Sequence, residues 1–238
     1  MDETLRTTLR ELLRRGAEPN AVLDVLVRDY QRFHLVLAVV GGLFLVLMLV
    51  AAVLLGRGWR RARALRDPSR RFERRAYAGL ALLATVSSLM LGVVVAANAS
   101  TAISPRQGFV GSVGLLGSPA PGTRDAAVQA SVLQWLDGGD PAQVPPSLQR
   151  RIDDRLAWQR PKAVVVSALL VVVGGAGLLV WRALVRRSRA AGGRTSMRDL
   201  PLLLAGWAST AVCLLLVLMV MGNTQGSVAP LSLTLFRG

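Results

Sequence analysis

Four long stretches without a charged side chain constrain this chain more than any other feature of its sequence. They are residues 35–55, 76–97, 163–181 and 202–221. Each has about 20 residues, and a helix of that length crosses the ~30 Å hydrocarbon core of a bilayer because each residue rises about 1.5 Å. The expected fold class is therefore all-α: a polytopic membrane protein with four transmembrane helices and short amphipathic helices on the extracytoplasmic face. The pattern excludes an ordinary water-soluble domain, a disordered chain and a nucleic-acid-binding protein.

The arginines predict the orientation of these helices. Residues 56–75 hold nine arginines and two acidic residues, and residues 182–201 hold six arginines and one acidic residue. In a chain with four spans these two basic loops lie on the same side, which the positive-inside rule assigns to the cytoplasm. Residues 1–34, 98–162 and 222–238 are then extracytoplasmic, and the protein is expected in the plasma (inner) membrane with both termini outside.

The same arginines predict a contact with membrane lipids. The net charge is +15, and the cytoplasmic leaflet attracts basic segments by about 1 kcal/mol per residue. Two interpretations stay open: generic contact that sets the topology, or a specific site for an anionic headgroup or an acidic protein partner. The expected anionic-lipid contacts are Arg57, Arg60, Arg61, Arg63, Arg70, Arg71, Arg74, Arg75, Arg182, Arg186, Arg187 and Arg189.

Small residues spaced by four predict where the membrane helices pack together. Small side chains let two helices approach closely in lipid, where no hydrophobic effect drives helices together. The second span is expected to be the central packing helix, and its partner could belong to the same chain or to another subunit. The expected packing residues are Ala84, Ser88, Gly92, Ala96 and Ser100 in this span, Gly174 in the third, and Ala205 and Ser209 in the fourth.

The spans lack the residues that membrane enzymes and ion-coupled transporters use. None of them contains Asp, Glu, Lys, Arg or His, and the whole chain has one histidine, His34, and one cysteine, Cys213. Such a set cannot supply an intramembrane proton relay or a histidine-rich metal site. The sequence predicts no enzyme, no catalytic residues, no cofactor and no metal.

The extracytoplasmic segments contain helical stripes. The first stripe comprises Leu5, Leu9, Leu12 and Leu13, with Asp2 as cap, Gly16 as stop and Pro19 opening a second helix. In residues 98–162 the first half is rich in Gly, Ser and Pro and reads as loop. Thr123 caps a helix that ends at Leu136, and Ser147 caps another with Leu148, Ile152 and Leu156 as its stripe. We expect the N-terminal stripe to pack against these central helices.

The C-terminal tail allows two interpretations. Residues 231–236 alternate between apolar and polar with period two, which suits a short strand that could pair with residues 109–116. A lone two-stranded ribbon is marginally stable. The alternative is an apolar tail that lies against the membrane or the helix bundle.

These observations favour a non-enzymatic accessory, scaffolding or assembly subunit of a larger cell-envelope complex, with a protein partner in the membrane. The alternatives are an oligomeric transporter or channel for a small or lipidic solute, and an envelope enzyme acting on lipid-linked substrates. Arginine supplies 28 of the 29 basic residues, a composition typical of GC-rich bacteria.

Overall fold

The computed structural model describes residues 3–15, 20–65, 67–117, 119–194 and 196–236, and these ranges contain helices and no strand. The all-α prediction is confirmed. Asp2, Gly16 and Pro19, the expected helix signals, lie outside the described residues, as does Arg66. The described α-helices are α1 (Glu3–Arg15), α2 (Ala21–Ala64), α3 (Arg71–Ile103), α4 (Pro105–Val113), α5 (Arg124–Leu136), α6 (Pro146–Ala190), α7 (Leu200–Val228) and α8 (Pro230–Phe236).

Four helical segments are long and apolar enough to cross a membrane. Large apolar side chains on them face outward; in α2, for example, Val39 and Leu43 are both more than half exposed. A water-soluble protein rarely exposes an apolar surface of this extent, because water solvates it poorly. The hydrocarbon chains of a bilayer are apolar and solvate such a surface well. The chain is a multi-pass membrane protein. The membrane helices are contained in the segments Ala21–Ala64, Pro68–Ile103, Pro146–Ala190 and Met197–Val228.

The two basic connections, which were predicted to be loops, are mostly helical. In the first, α2 continues to Ala64 and α3 begins at Arg71, with a 3₁₀ turn at Pro68–Arg70 between them. Asp67 caps this turn, since its carboxylate accepts a hydrogen bond from the Ser69 amide at 2.8 Å. In the second, α6 continues to Ala190, and a 3₁₀ turn at Met197–Asp199 precedes α7. The helices extend because Ala and Arg are strong helix formers.

The chain divides into two compact units. The core unit comprises Met1–Ala38, Ala96–Ala163 and Gly222–Gly238, and the span unit comprises Val39–Val95 and Val164–Met221. The span unit has a small buried apolar cluster of Val166, Leu216 and Val220, against which Phe44, Leu170 and Val173 pack.

The core unit has a larger hydrophobic core, to which α1 contributes Leu5 and Leu9. α1 contacts α4 and α5, and Leu148 and Ile152 from the start of α6 lie in the same core. The expected packing of the N-terminal stripe on the central helices is confirmed. The remaining buried members are Val22, Leu23, Leu26, Val27, Tyr30, Phe109, Val113, Leu116, Val128, Val132, Trp135 and Leu136.

The expected loop after the second span is wrong in its first part. α3 runs on to Ile103, and residues Pro105–Val113 form α4. Pro105 suits the first helical turn because its missing N–H needs no partner there. Gly108 is small because α4 approaches its neighbours closely: a Cβ at this position would lie 2.6 Å from Thr101 Cγ2 and 3.2 Å from the Tyr30 ring. Here glycine marks close packing.

The two expected central helices exist, with one change at a boundary. Thr123 caps α5 as predicted, because its side chain accepts a hydrogen bond from the Ala126 amide. The start of α6 was predicted wrongly: the helix begins at Pro146, and the Ser147 hydroxyl instead donates to Ser131 Oγ at 2.7 Å. Pro161, expected where the third span begins, lies inside the continuous α6.

The C-terminal tail is helical, so the strand interpretation is wrong. Residues 109–116 offer no strand edge, because α4 covers most of them, and the tail folds as α8 with Leu231 and Leu235 packed on the core. Asp29, which is 7% exposed, accepts hydrogen bonds from the backbone N–H and hydroxyl of Ser232 at 2.7 and 2.8 Å. These bonds attach α8 to α2.

Candidate lipid-contacting site at the basic connections

The two basic connections meet within the span unit. Gly193 has a φ of +84° and lies so close to Pro68 and Ser69 that no Cβ would fit there. The Glu73 carboxylate, near the start of α3, accepts two hydrogen bonds from Arg189 of α6, at 2.8 Å from Nε and 2.5 Å from Nη2. Arginines from both connections are therefore brought to one end of this unit.

Glu73 holds this end together. It is only 3% exposed, and Arg70 Nη1 lies 3.8 Å from its Oε2 atom. The paired arginine donors offset the cost of burying its charge. Asp67 lies at the same turn, and its hydrogen bonds from Ser69 hold the pKa of that carboxyl below its usual value.

A groove of about 380 Å³ opens beside this pair. Leu55, Leu80 and Leu178 give the groove apolar surface, and the arginines Arg182 and Arg186 also line it. The other lining residues are Ala76, Tyr77, Trp181, Val185 and Arg189.

Close packing of small residues fixes both aromatic side chains of the groove. Tyr77 lies against Gly58, where a Cβ would be 3.1 Å from its ring. Trp181 packs on Gly206, contacts Trp207 edge-to-face with centroids 5.3 Å apart, and donates from Nε1 to Thr210 Oγ1 at 3.2 Å. The groove is therefore a fixed feature of the helix packing.

A groove lined by both apolar side chains and arginines matches the chemistry of a phospholipid. Leucine side chains can contact acyl carbons, and a guanidinium fork can donate hydrogen bonds to a phosphate. Aromatic side chains are favoured at the depth where headgroups begin.

The twelve predicted lipid contacts differ in how free their charges are. Arg189 is bound to Glu73, Arg70 lies near Asp67 and Glu73, and Arg187 is 4.0 Å from Asp199. The Arg63 guanidinium lies 5.6 Å from the centre of the Trp59 ring. Among the described residues, no carboxylate forms an ion pair with the others, which are Arg57, Arg60, Arg61, Arg71, Arg74, Arg75, Arg182 and Arg186.

The predicted packing residues of α3 fall into two groups. Ala84 and Ser88 are buried. Gly92 has no atom within 4 Å of where its Cβ would lie, and Ala96 and Ser100 are exposed. Because each step of four residues turns by about 40° round the helix, this row of small residues leaves the packed side of α3 and becomes exposed at Ala96 and Ser100.

Of the predicted packing residues in α6 and α7, Gly174 and Ser209 lie at contacts between the two helices, whereas Ala205 does not. A Cβ on Gly174 would lie 3.8 Å from Cys213 Sγ, and Ser209 lies against Gly177. Ala205 is exposed, while its neighbour Gly206, under the Trp181 ring, is the buried small residue. The spacing of small residues does not predict the Trp181–Gly206 contact, since a glycine paired with a bulky ring departs from the pattern of small residues facing small residues.

Few groups in the described ranges have the chemistry of an active site. No group of three or more His, Cys, Asp or Glu side chains there could hold a metal ion. His34 Nδ1 is 2.7 Å from Asn98 Oδ1, and Asp140 accepts from the Ala142 amide within its turn. Comparison with protein-family models, curated proteins and solved structures finds no match to this chain.

Proposed function

We propose that this protein is a non-enzymatic accessory, scaffolding or assembly subunit of a larger cell-envelope complex. The observation that carries the proposal is the exposed end of the row of small residues on α3. Ala96 and Ser100 continue the spacing of the buried pair Ala84 and Ser88 and are exposed, and no atom lies within 4 Å of where a Cβ on Gly92 would be. Small residues in this register let a second helix approach closely in lipid.

The low internal burial of the spans supports the same proposal. In the apolar windows of the four membrane helices only 6% to 22% of the residues are buried. Helices that make so few contacts with each other leave wide faces for lipid or for the helices of another subunit.

The basic groove gives this subunit a place for an anionic lipid. Arg182 and Arg186 are exposed and unpaired within the described residues, and both line the groove beside Leu178. The proposal places this end at the cytoplasmic face of the plasma membrane of a bacterium, with both termini on the outside. The arginine bias supports that orientation.

Gentle detergent extraction followed by native mass spectrometry tests the proposal. We expect an assembly well above the 25.4 kDa of the monomer. Ala96→Leu blocks the exposed end of the row of small residues and should release the monomer. Ala97→Leu is the matched control, because it adds the same side chain to an equally exposed position about 100° further round the helix. A monomer at every expression level, or equal effects of both variants, contradicts the proposal.

The same spectra test the lipid contact. Wild-type protein should retain phosphatidylglycerol, and Arg182→Gln with Arg186→Gln should lose it. The pair Arg57→Gln with Arg60→Gln removes equal charge outside the groove and serves as control. Loss of lipid to the same extent in both pairs would indicate generic attraction without a groove.

A further inference from the structure

A second arginine-rich cavity lies in the core unit, between the first turns of α5 and the start of α6. Its volume is about 820 Å³. The residues that line this cavity are spaced by three and four along each helix, so they lie on one face of α5 and one face of α6. The lining residues are Arg124, Ala127, Val128, Ser147, Arg150, Arg151, Asp154, Arg155 and Trp158.

The two helices that form this cleft are joined across it. Arg151 of α6 forms an ion pair with Asp125 of α5 at 2.5 Å, and the Ser147 hydroxyl donates to Ser131 Oγ at 2.7 Å. Val128, at the base, belongs to the hydrophobic core. The cleft is therefore a preformed part of the fold.

Positive charge dominates the cleft. Four arginines line it against one carboxylate, Asp154. Within the described residues neither Arg124 nor Arg150 forms an ion pair, and Arg150 uses only its Nε, which donates to the Pro146 carbonyl at 3.3 Å. The terminal nitrogens of both side chains remain available to a ligand.

The cleft also has an exposed aromatic edge. Trp158 is 66% exposed, and the Lys162 ammonium lies 4.4 Å from the centre of its ring. Trp158 precedes the third predicted span by five residues. An indole in that position is typical of the headgroup region of a bilayer.

We propose that this cleft binds a phosphate ester through Arg124 and Arg150. A guanidinium fork donates two parallel hydrogen bonds to a phosphate, and two unpaired guanidinium groups can share the oxygens of one tetrahedral anion. The phosphate belongs to a phospholipid headgroup or to a soluble phosphorylated molecule. Arg151 and Arg155 are held by Asp125 and by the Leu233 carbonyl, so they set the shape and field of the cleft.

Titration of the full-length protein in phosphate-free maltoside micelles at low salt tests this inference. The probes are inorganic phosphate and glycerol 1-phosphate, measured by calorimetry, and phosphatidylglycerol, counted by native mass spectrometry. We expect Arg124→Gln with Arg150→Gln to raise the dissociation constant roughly tenfold or more, because two charge-assisted hydrogen-bonding groups are lost. Binding of the soluble probes indicates a soluble ligand, whereas binding of phosphatidylglycerol alone indicates a lipid headgroup.

The matched control is Arg14→Gln with Arg160→Gln. Both side chains are exposed, belong to the same unit and lie outside the cleft, so binding should change less than about twofold. Ala127→Glu is a second cleft variant: it places a carboxylate at an exposed position and should abolish binding while the thermal unfolding curve stays unchanged. The inference is overturned if no probe binds, if both arginine pairs weaken binding equally, or if acetate binds as tightly as phosphate.

Discussion

At the basic end of the span unit, substitutions of the two partners in one ion pair should lower the free energy of unfolding by different amounts. Glu73 and Arg189 make the same pair of hydrogen bonds, but the Glu73 side chain is 4% exposed and the Arg189 side chain is 46% exposed. Removing either partner breaks the same contact. The two losses differ because an unpaired buried charge is far more costly than an unpaired charge that water can reach.

We therefore expect Arg189→Gln to destabilise the protein more than Glu73→Gln. The first leaves a buried carboxylate with only Arg70 nearby and should cost about 2–3 kcal/mol. The second lets Arg189 return to water and should cost about 1 kcal/mol or less. Unfolding by sodium dodecyl sulfate in mixed micelles, followed by circular dichroism, measures both values.

Arg187→Gln is the matched control for this comparison. Its side chain is 61% exposed and its nearest carboxylate oxygen, on Asp199, is 4.0 Å away, so the change should cost less than about 0.5 kcal/mol. A larger cost for Glu73→Gln than for Arg189→Gln would show that the burial of Glu73 does not decide the balance.

At the scale of elements, α4 shows two glycines with opposite functions in one short helix. A Cβ at Gly108 would meet Thr101 at 2.6 Å, whereas a Cβ at Gly111 would meet no atom within 4 Å. Glycine lowers helix stability wherever its small size is not needed, because it loses more backbone entropy on folding than alanine does.

The same substitution should thus have opposite signs at these two positions. Gly111→Ala should stabilise α4 by about 0.5–1 kcal/mol through helix propensity. Gly108→Ala should destabilise by about 1–3 kcal/mol, because the added methyl group forces the Thr101 and Tyr30 side chains to move. Thermal unfolding of the two variants compares them directly, and shifts of the same sign would refute the close approach of α4 to its neighbours.

The elements also show which local patterns are sufficient to predict structure. The long apolar stretches and the Thr123 cap gave correct helices, because burial in lipid and a cap hydrogen bond act within one segment. Gly108 and the alternating tail gave wrong assignments, since their conformation depends on Tyr30 and Asp29, which are distant in sequence. Neither partner is visible from the local pattern.

For the candidate sites, too, the sequence predicts the local features and does not predict the contacts between distant segments. The arginines of the basic groove were visible as a charge bias, but their separation into bound and unpaired groups depends on Glu73, which approaches Arg189 only in the folded chain. The cleft of the core unit was not predicted, although Arg151, Asp154 and Arg155 follow one another at helical spacing in the sequence. Arg124 joins it from α5, and no spacing rule connects two separate helices.

At the scale of the whole molecule, the arginines fall into two groups, those of the two basic connections and those of the cleft in the core unit. The two basic connections hold most of the arginine excess, which is the signal for orientation in the membrane. Arg124, Arg150, Arg151 and Arg155 lie in the segment between the second and third spans, where an orientation signal would work against the bias. The phosphate site proposed for the cleft gives these arginines a use that the orientation signal does not.

Reporter fusions should place the two kinds of arginine on opposite sides of the membrane. Alkaline phosphatase, which is active only outside the cytoplasm, should be inactive when it is inserted after Leu65 and active when it is inserted after Gly139, with the rest of the chain following the reporter in each case. Both positions lie between helices, so the insertions do not interrupt a membrane helix. High phosphatase activity at Leu65 would show that the orientation is the reverse of the predicted one. The basic groove would then not face the cytoplasmic leaflet, and that leaflet could not supply its lipid.

A charge-shift variant separates the orientation signal from the packing. Replacing Arg57, Arg60, Arg61 and Arg63 by Gln removes four charges that lie just after the first span and leaves the Glu73–Arg189 pair intact. Because orientation responds to Lys and Arg near the ends of the spans, a measurable fraction of the molecules should then show activity at Leu65. If the orientation stays uniform, then the remaining arginines of both connections are enough to set it, and the four replaced residues are free to serve lipid contact alone.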